Sequence, residues 1–137
     1  MLGKDEFKMQ KRIKKLDPTI NQITYKDGRG VIQTYFPERE NIVEWNYIVT
    51  LKNSVRGHHF YKEFDEYSMV VEGEGVYSEL TGGREIPTPV GPGDCVFIPT
   101  GVPHTFYPVV DTKFIAMLTK CWDDCDEPIT LVEVKNQ

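Results

Sequence analysis

Histidine is scarce in this 137-residue chain, with three in all, and cysteine is no commoner. An odd trio, Cys95, Cys121 and Cys125, cannot form the disulfide framework of a small secreted domain. The CxxxC spacing of the last two lacks the second Cys or His pair of a structural zinc site. They read as free thiols in a reducing cytosol. A long apolar run is also missing, so no stretch reaches the length of a membrane span, and the first residues do not read as a charged-then-apolar leader. A basic surplus is absent: 21 Asp and Glu outweigh 16 Lys and Arg, giving a net charge of −5. That balance argues against a nucleic-acid partner but leaves room for an anionic ligand held by a few arginines. Together these absences predict a soluble cytoplasmic protein with a small-molecule partner and no membrane.

What is present suits one folded domain, with 39% hydrophobic and 12% aromatic residues. Residues 4–16, with Phe7, Met9, Ile13 and Leu16 among basic residues, predict a short N-terminal helix or arm that Asp17-Pro18 ends. The basic run Lys11, Arg12, Lys14 and Lys15 reads as a solvated face. The division expected is an arm over 1–18 and a single domain over 19–137. From there the pattern turns to period two, predicting strands near 20–25, 31–36, 42–51, 66–72, 75–80, 94–98, 104–107, 113–119 and 129–134. Turns fall at Asp27-Gly28-Arg29-Gly30, Gly73-Glu74 and Thr81-Gly82-Gly83-Arg84, and the three prolines of 87–93 predict a loop. Short strands with so little helix predict an antiparallel sandwich or barrel, whose open edges favour a homodimer.

The histidines occupy two short segments. His58 and His59 open the run 56–73, and His104 closes Gly101-Val102-Pro103-His104. If the segments meet, imidazoles and carboxylates converge on a site for a metal or for proton transfer. Side chains alternate along a strand, so His59 shares a face with Tyr61 and points inward, leaving His58 outside. Glu66, Ser68, Val70 and Glu72 share one face of their strand, and Tyr67, Met69 and Val71 the other.

At these segments the chain resembles the cupin superfamily of double-stranded β-helix (jelly-roll) barrels. Gly93, Pro99, Gly101 and His104 match the second cupin motif, G-x5-P-x-G-x2-H, in full. His59, Glu66 and Gly73 match the first, with Asn53 in place of its opening glycine and Tyr61 in place of its second histidine. The resemblance implies an all-β jelly-roll and a divalent transition metal (zinc, iron, manganese or nickel) at His59, Glu66 and His104, with Tyr61 a fourth ligand or an acid. Further, the Asp27-Gly28-Arg29-Gly30 turn, Trp45-Asn46 and Arg56-Gly57-x-His59 are similar to the layout of cupins that epimerise or isomerise nucleotide-linked keto-sugars. That likeness implies a nucleoside diphosphate sugar substrate, diphosphate binding by Arg56 and proton abstraction by His59.

Tyr61 or Tyr107 then serves as proton donor. Arg29 and Tyr107 join Arg56 as candidates for binding the substrate; Arg56 otherwise pairs with Glu63 or Asp65, Arg29 otherwise stands as an exposed turn residue, and the acidic residues of 123–127 read as a solvated loop. The function expected is an isomerase or epimerase of a nucleotide-linked keto-sugar. The alternatives are a metal-dependent cupin enzyme (dioxygenase, lyase or sugar isomerase) and a non-catalytic sugar-binding cupin.

Overall fold

The computed structural model describes residues 11–18 and 24–132. Twelve strands follow one another: β1 (Lys14–Lys15), β2 (Thr24–Asp27), β3 (Gly30–Gln33), β4 (Glu44–Thr50), β5 (Arg56–Phe60), β6 (Glu66–Glu72), β7 (Gly75–Thr81), β8 (Arg84–Val90), β9 (Cys95–Ile98), β10 (His104–Pro108), β11 (Thr112–Leu118) and β12 (Thr130–Leu131). The only helical element among the described residues is a 3₁₀ turn, η1 (Trp122–Asp124). Two antiparallel five-stranded sheets, ordered β1-β9-β6-β11-β4 and β12-β5-β10-β7-β8, form the jelly-roll, and β2-β3 is a separate hairpin.

Period-two alternation decides what each strand buries. On β6, Glu66, Ser68 and Val70 are all buried, with Val70 in the cluster that holds Phe106, Phe114, Ala116 and Leu118 between the sheets. On its other face Tyr67 joins Leu16, Cys95 and Phe97 in a second cluster on the outside of the first sheet. Burying each such side chain stabilises the fold by about 1.5–3 kcal/mol, so these two clusters supply most of what holds the barrel closed.

Two expectations are corrected. No N-terminal helix forms over the described part of 4–16: Lys14 and Lys15 pair with Phe97 and Val96 as a short edge strand. As a helix this segment would put Ile13 and Leu16 on one face; as a strand at the edge of β9 it buries them on opposite faces, Ile13 between the sheets and Leu16 in the outer cluster. Residues 4–10 lie outside the described residues, as does most of the strand expected at 20–25. Of the loop expected over 87–93, residues 87–90 are instead the second half of β8, where Pro87 and Pro89 lie opposite Ser78 and Val76, and only 91–93 turn the chain. Both prolines have the same parity, and β8 is an edge strand, so the missing N–H groups fall on the side with no neighbour.

One buried charge ties the barrel together. Glu79 on β7 is fully buried and accepts hydrogen bonds from the backbone N–H groups of Arg12 and Ile13, each at 2.7 Å, from Arg12 Nε at 3.1 Å and from Thr81 Oγ1 at 2.6 Å. Burial alone would raise its pKa, but these four donors outweigh it and the carboxylate stays ionised.

Candidate active site

A cleft of about 790 Å³ opens between the sheets, lined by the inward side of β4, by β5, by the floor residues Phe106, Phe114 and Leu118, and by η1. Registers place its parts. Across the first sheet Glu44, Leu118 and Glu66 lie on one rung, Asn46, Ala116 and Ser68 on the next, and Thr50 and Thr112 at the far end. Across the second, His59, His104 and Glu79 share a rung, and Arg56, Phe106 and Tyr77 another. Six residues of extended chain separate Glu44 from Thr50, about 20 Å.

At the Glu44 end three rings pack together. His59 lies 4.9 Å from His104 and 5.1 Å from Tyr61, centroid to centroid, and Tyr61 lies 5.0 Å from His104. Tyr61 Oη donates to Glu66 Oε1 at 2.5 Å, and Ser68 and Tyr77 share a hydroxyl–hydroxyl bond beside them. The expected register holds for the histidines: His59 lines the cleft, while His58 is exposed and meets Tyr107 edge-on. A bulge makes this possible. Pairing slips from His104 opposite His59 to Thr105 opposite Gly57, so His58 is left over, at φ 54, and turned outward.

Burial sets the protonation. It lowers the pKa of His59, with His58 adding to the effect, and pushes His104 down to about 4. Both imidazoles are therefore neutral at pH 7. His104 Nδ1 lies 2.9 Å from the Val102 carbonyl, which can only accept, so Nδ1 carries the proton and Nε2 the lone pair. Burial, helped by the charge of Glu66, holds Tyr61 protonated and pushes Glu66 itself up to about 7 despite the hydrogen bond from Tyr61.

Arg56 sits at the opposite end. Its Nε donates to Thr50 Oγ1 at 2.7 Å and its Nη2 to the Val49 carbonyl at 2.8 Å, both neutral. The alternative pairing with Glu63 or Asp65 does not form. Asp65 is taken by Arg39 and by Thr100, through its N–H and hydroxyl, and Glu63 by Lys120. Arg29 and Tyr107 do not line the cleft: Arg29 pairs with Asp27 at 2.7 Å in the β2–β3 turn, and Tyr107 donates to Glu85. Among the described residues no group of three or more His, Cys, Asp or Glu side chains is arranged to hold a metal ion. The carboxylate that would join His59 and His104 is engaged by the Tyr61 hydroxyl.

Sequence reasoning missed Glu44, Asn46, Trp122 and Asp123, which line the cleft. Glu44 fixes η1, accepting the Trp122 N–H at 3.0 Å through one oxygen and Asn46 Nδ2 at 2.9 Å through the other. The signal was present in the alternation of β4, where Glu44 and Asn46 face in while Trp45 and Tyr47 face out.

The model of the Cupin domain family matches residues 47–118, more than half of the chain, a span that includes Arg56, His59, Tyr61, Glu66 and His104. The chain belongs to the cupin family. Among solved structures this cupin is similar to a 3,4-ketoisomerase from Helicobacter canadensis, with 16% identity, TM-score 0.69, and coverage of 87% of this chain and 88% of that one. It is also similar to the dTDP-4-dehydrorhamnose 3,5-epimerase of Sulfolobus tokodaii, with 22% identity, TM-score 0.59, and coverage of 71% of this chain and 66% of that one. A third likeness is to ChmJ, a 3′-monoepimerase of Streptomyces bikiniensis solved with dTDP-quinovose, with 17% identity, TM-score 0.63, and coverage of 80% and 63%. At these identities the likeness is one of fold. No curated protein sequence matches the chain. No helix among the described residues is long and apolar enough to cross a membrane.

Proposed function

We propose that this cupin isomerises a nucleotide-linked keto-sugar, moving a carbonyl between adjacent carbons. The observation that carries the reading is a neutral imidazole, His59, beside a protonated phenol, Tyr61, at one end of a cleft whose other end presents Arg56, which has no acidic partner among the described residues. His59 takes the proton from the hydroxyl-bearing carbon next to the carbonyl, and the carbonyl oxygen takes a proton from Tyr61, which protonated Glu66 replaces, giving an enediol. The hydroxyl of the neighbouring carbon then gives its proton back to the Tyr61–Glu66 pair while His59 returns its own to the former carbonyl carbon, which leaves the ketone one position along. The two rings are neighbours on one wall, so they serve adjacent atoms on one face of a sugar. An epimerase needs a donor on the opposite face, and Tyr107, the other candidate, is outside the cleft. Arg56 suits the diphosphate, because a planar guanidinium binds two phosphate oxygens at once. Among the similar folds, a dTDP-4-dehydrorhamnose 3,5-epimerase, a 3′-monoepimerase solved with dTDP-quinovose and a 3,4-ketoisomerase support the same substrate class and reaction.

The experiment is proton NMR of the protein with dTDP-4-keto-6-deoxyglucose in D₂O. Deuterium should enter the carbon beside the ketone, a 3-keto product should accumulate, and His59→Ala should abolish both. A His59→Ala variant that turns over normally overturns the reading.

A metal at His59, Glu66 and His104 is the second reading, favoured by the lone pair that the Val102 contact leaves on His104 Nε2. It requires Tyr61 to release Glu66 or to become a ligand itself. Near-stoichiometric zinc, iron, manganese or nickel in protein purified without chelator, lost in His104→Ala, supports it; no bound metal after dialysis against those ions overturns it. The protein is further proposed to work in the cytoplasm as a homodimer. In support, β4 is an open edge whose outward Trp45 and Tyr47 are 75% and 63% exposed, next to an apolar groove of Ile42, Met69, Ile115 and Met117.

A further inference from the structure

The cleft has two unlike ends, and only one has been given a chemical task beyond proton transfer. At the Arg56 end the wall carries a cation and the apolar Val55. At the other end stand Glu44, on the rung of Glu66, and Trp122 and Asp123 of η1, with Asn46 one rung below Glu44. We propose that η1 and the inward face of β4 form the specificity wall for a neutral, hydroxyl-bearing hexose, with Trp122 covering a ring face and Asp123 and Asn46 binding hydroxyls. This rests on the reading of the site given above and adds which end of the substrate goes where, and which residues choose it.

Three observations converge. Trp122 is 40% exposed where it lines the cleft, which leaves part of its indole ring free to meet a sugar face. Its ring is joined to the reacting groups by an aromatic ladder: Trp122 lies 6.3 Å from Phe64, and Phe64 stacks on Tyr61 at 4.4 Å. Glu44 holds η1 in place through the Trp122 N–H while orienting the Asn46 amide, so it is a positioning residue for both. An indole beside carboxylates and an amide suits the two kinds of surface a hexose offers, an apolar C–H face and a belt of hydroxyls. The same carboxylates repel an acidic sugar, which gives the wall a sign as well as a shape. With the hexose here, the diphosphate runs toward Arg56 and the nucleoside lies beyond it, near Val55. The volume of the cleft exceeds that of one hexose and accommodates this arrangement.

The test compares two probes by calorimetry on the full chain: dTDP, which lacks a hexose, and dTDP-glucose. Trp122→Ala and Asp123→Ala should each weaken dTDP-glucose about tenfold and leave dTDP unchanged, while Arg56→Ala weakens both. Glu44→Gln should give an intermediate loss for dTDP-glucose alone, since glutamine keeps one acceptor for the Trp122 N–H. Equal losses for both probes, or none for dTDP-glucose, overturn the specificity wall while leaving the nucleotide-sugar reading intact. Failure of the unaltered protein to bind either probe overturns that reading and this one with it. Circular dichroism of each variant identifies any that lost its fold, and Trp122→Phe, which keeps a ring to cover the sugar, should retain most of the affinity.

Discussion

Gly57→Ala tests the geometry of the site from the backbone. Gly57 is at φ +133, and a Cβ there would lie 2.5 Å from the Thr105 Cα and 2.6 Å from the His104 carbonyl oxygen. Both obstacles are main chain of β10, so no rotamer change relieves them; β5 and β10 must separate at the bulge that turns His58 out and His59 in. Backbone strain of about 1–3 kcal/mol adds to overpacking of about 1–3 kcal/mol, for a loss of roughly 2–6 kcal/mol. At this chain length that lowers Tm by roughly 6–24 °C. The same separation moves His59 from His104 and Tyr61, so turnover should fall more than the folded fraction does. Gly91→Ala is the control. Its added Cβ meets nothing within 4 Å and its φ is not in the left-handed range, so Tm should hold or rise slightly. Thermal unfolding followed by circular dichroism reads both. A Gly57→Ala protein melting within about 2 °C of the parent, or a Gly91→Ala protein losing as much, would refute the account.

Asp65→Ala strips a buried carboxylate from half-exposed Arg39 and from the N–H and hydroxyl of Thr100, and should cost about 1–3 kcal/mol in urea unfolding; a loss under about 0.5 kcal/mol contradicts that network. The folded pKa of His104, about 4, lies below its unfolded value, so its contribution is complete above about pH 6.5 and is lost as pH falls through 4. The acid limb of the stability curve should flatten in His104→Gln, and an unchanged limb refutes the assignment. Glu66 runs the other way: raised to about 7, it favours the fold below its unfolded pKa and loses that contribution as pH rises through 7. Glu66→Gln should therefore gain stability on the parent at pH 8 relative to pH 5, and no such pH-dependent gain contradicts the burial argument. Trp45→Glu puts a charge on the open edge of β4 and should convert the expected dimer to monomer by sedimentation, with His59 chemistry tested alongside; an unaltered dimer places the interface elsewhere.

Much of the site could be read from the chain because its chemistry is concentrated in rare residues at fixed spacings. His59, Tyr61, Glu66 and His104 are brought together, and strand alternation chose correctly between His58 and His59. The choice held for a subtler reason than alternation, since a bulge at His58 resets the count. What could not be read depends on pairing across long sequence distances. Arg56 was weighed against Glu63 and Asp65, its sequence neighbours, but Asp65 belongs to Arg39 and Thr100. Pro87 and Pro89 spoke for a loop until β8 proved to be an edge. Trp122 and Asp123 sit in an acidic stretch that reads as solvated, and only the fold of η1 over the cleft shows otherwise. The inverted alternation of β4, with Glu44 and Asn46 inside and Trp45 and Tyr47 outside, is the one local sign that both faces of that strand have work to do.

The Glu79 clamp also fixes an order of assembly. Its backbone donors come from Arg12 and Ile13, 67 and 66 residues earlier in the chain. On the ribosome that early segment emerges long before the carboxylate it must cap, and it has no other part of the barrel to close upon. Hairpin partners such as β7 and β8 meet across a few residues and form quickly, whereas this loop closure carries a larger entropic cost. The first described strand made is therefore expected among the last docked, and until it arrives the Glu79 carboxylate in the barrel wall keeps only its strand neighbour Thr81 as a donor. Folding of this cupin should end with its beginning.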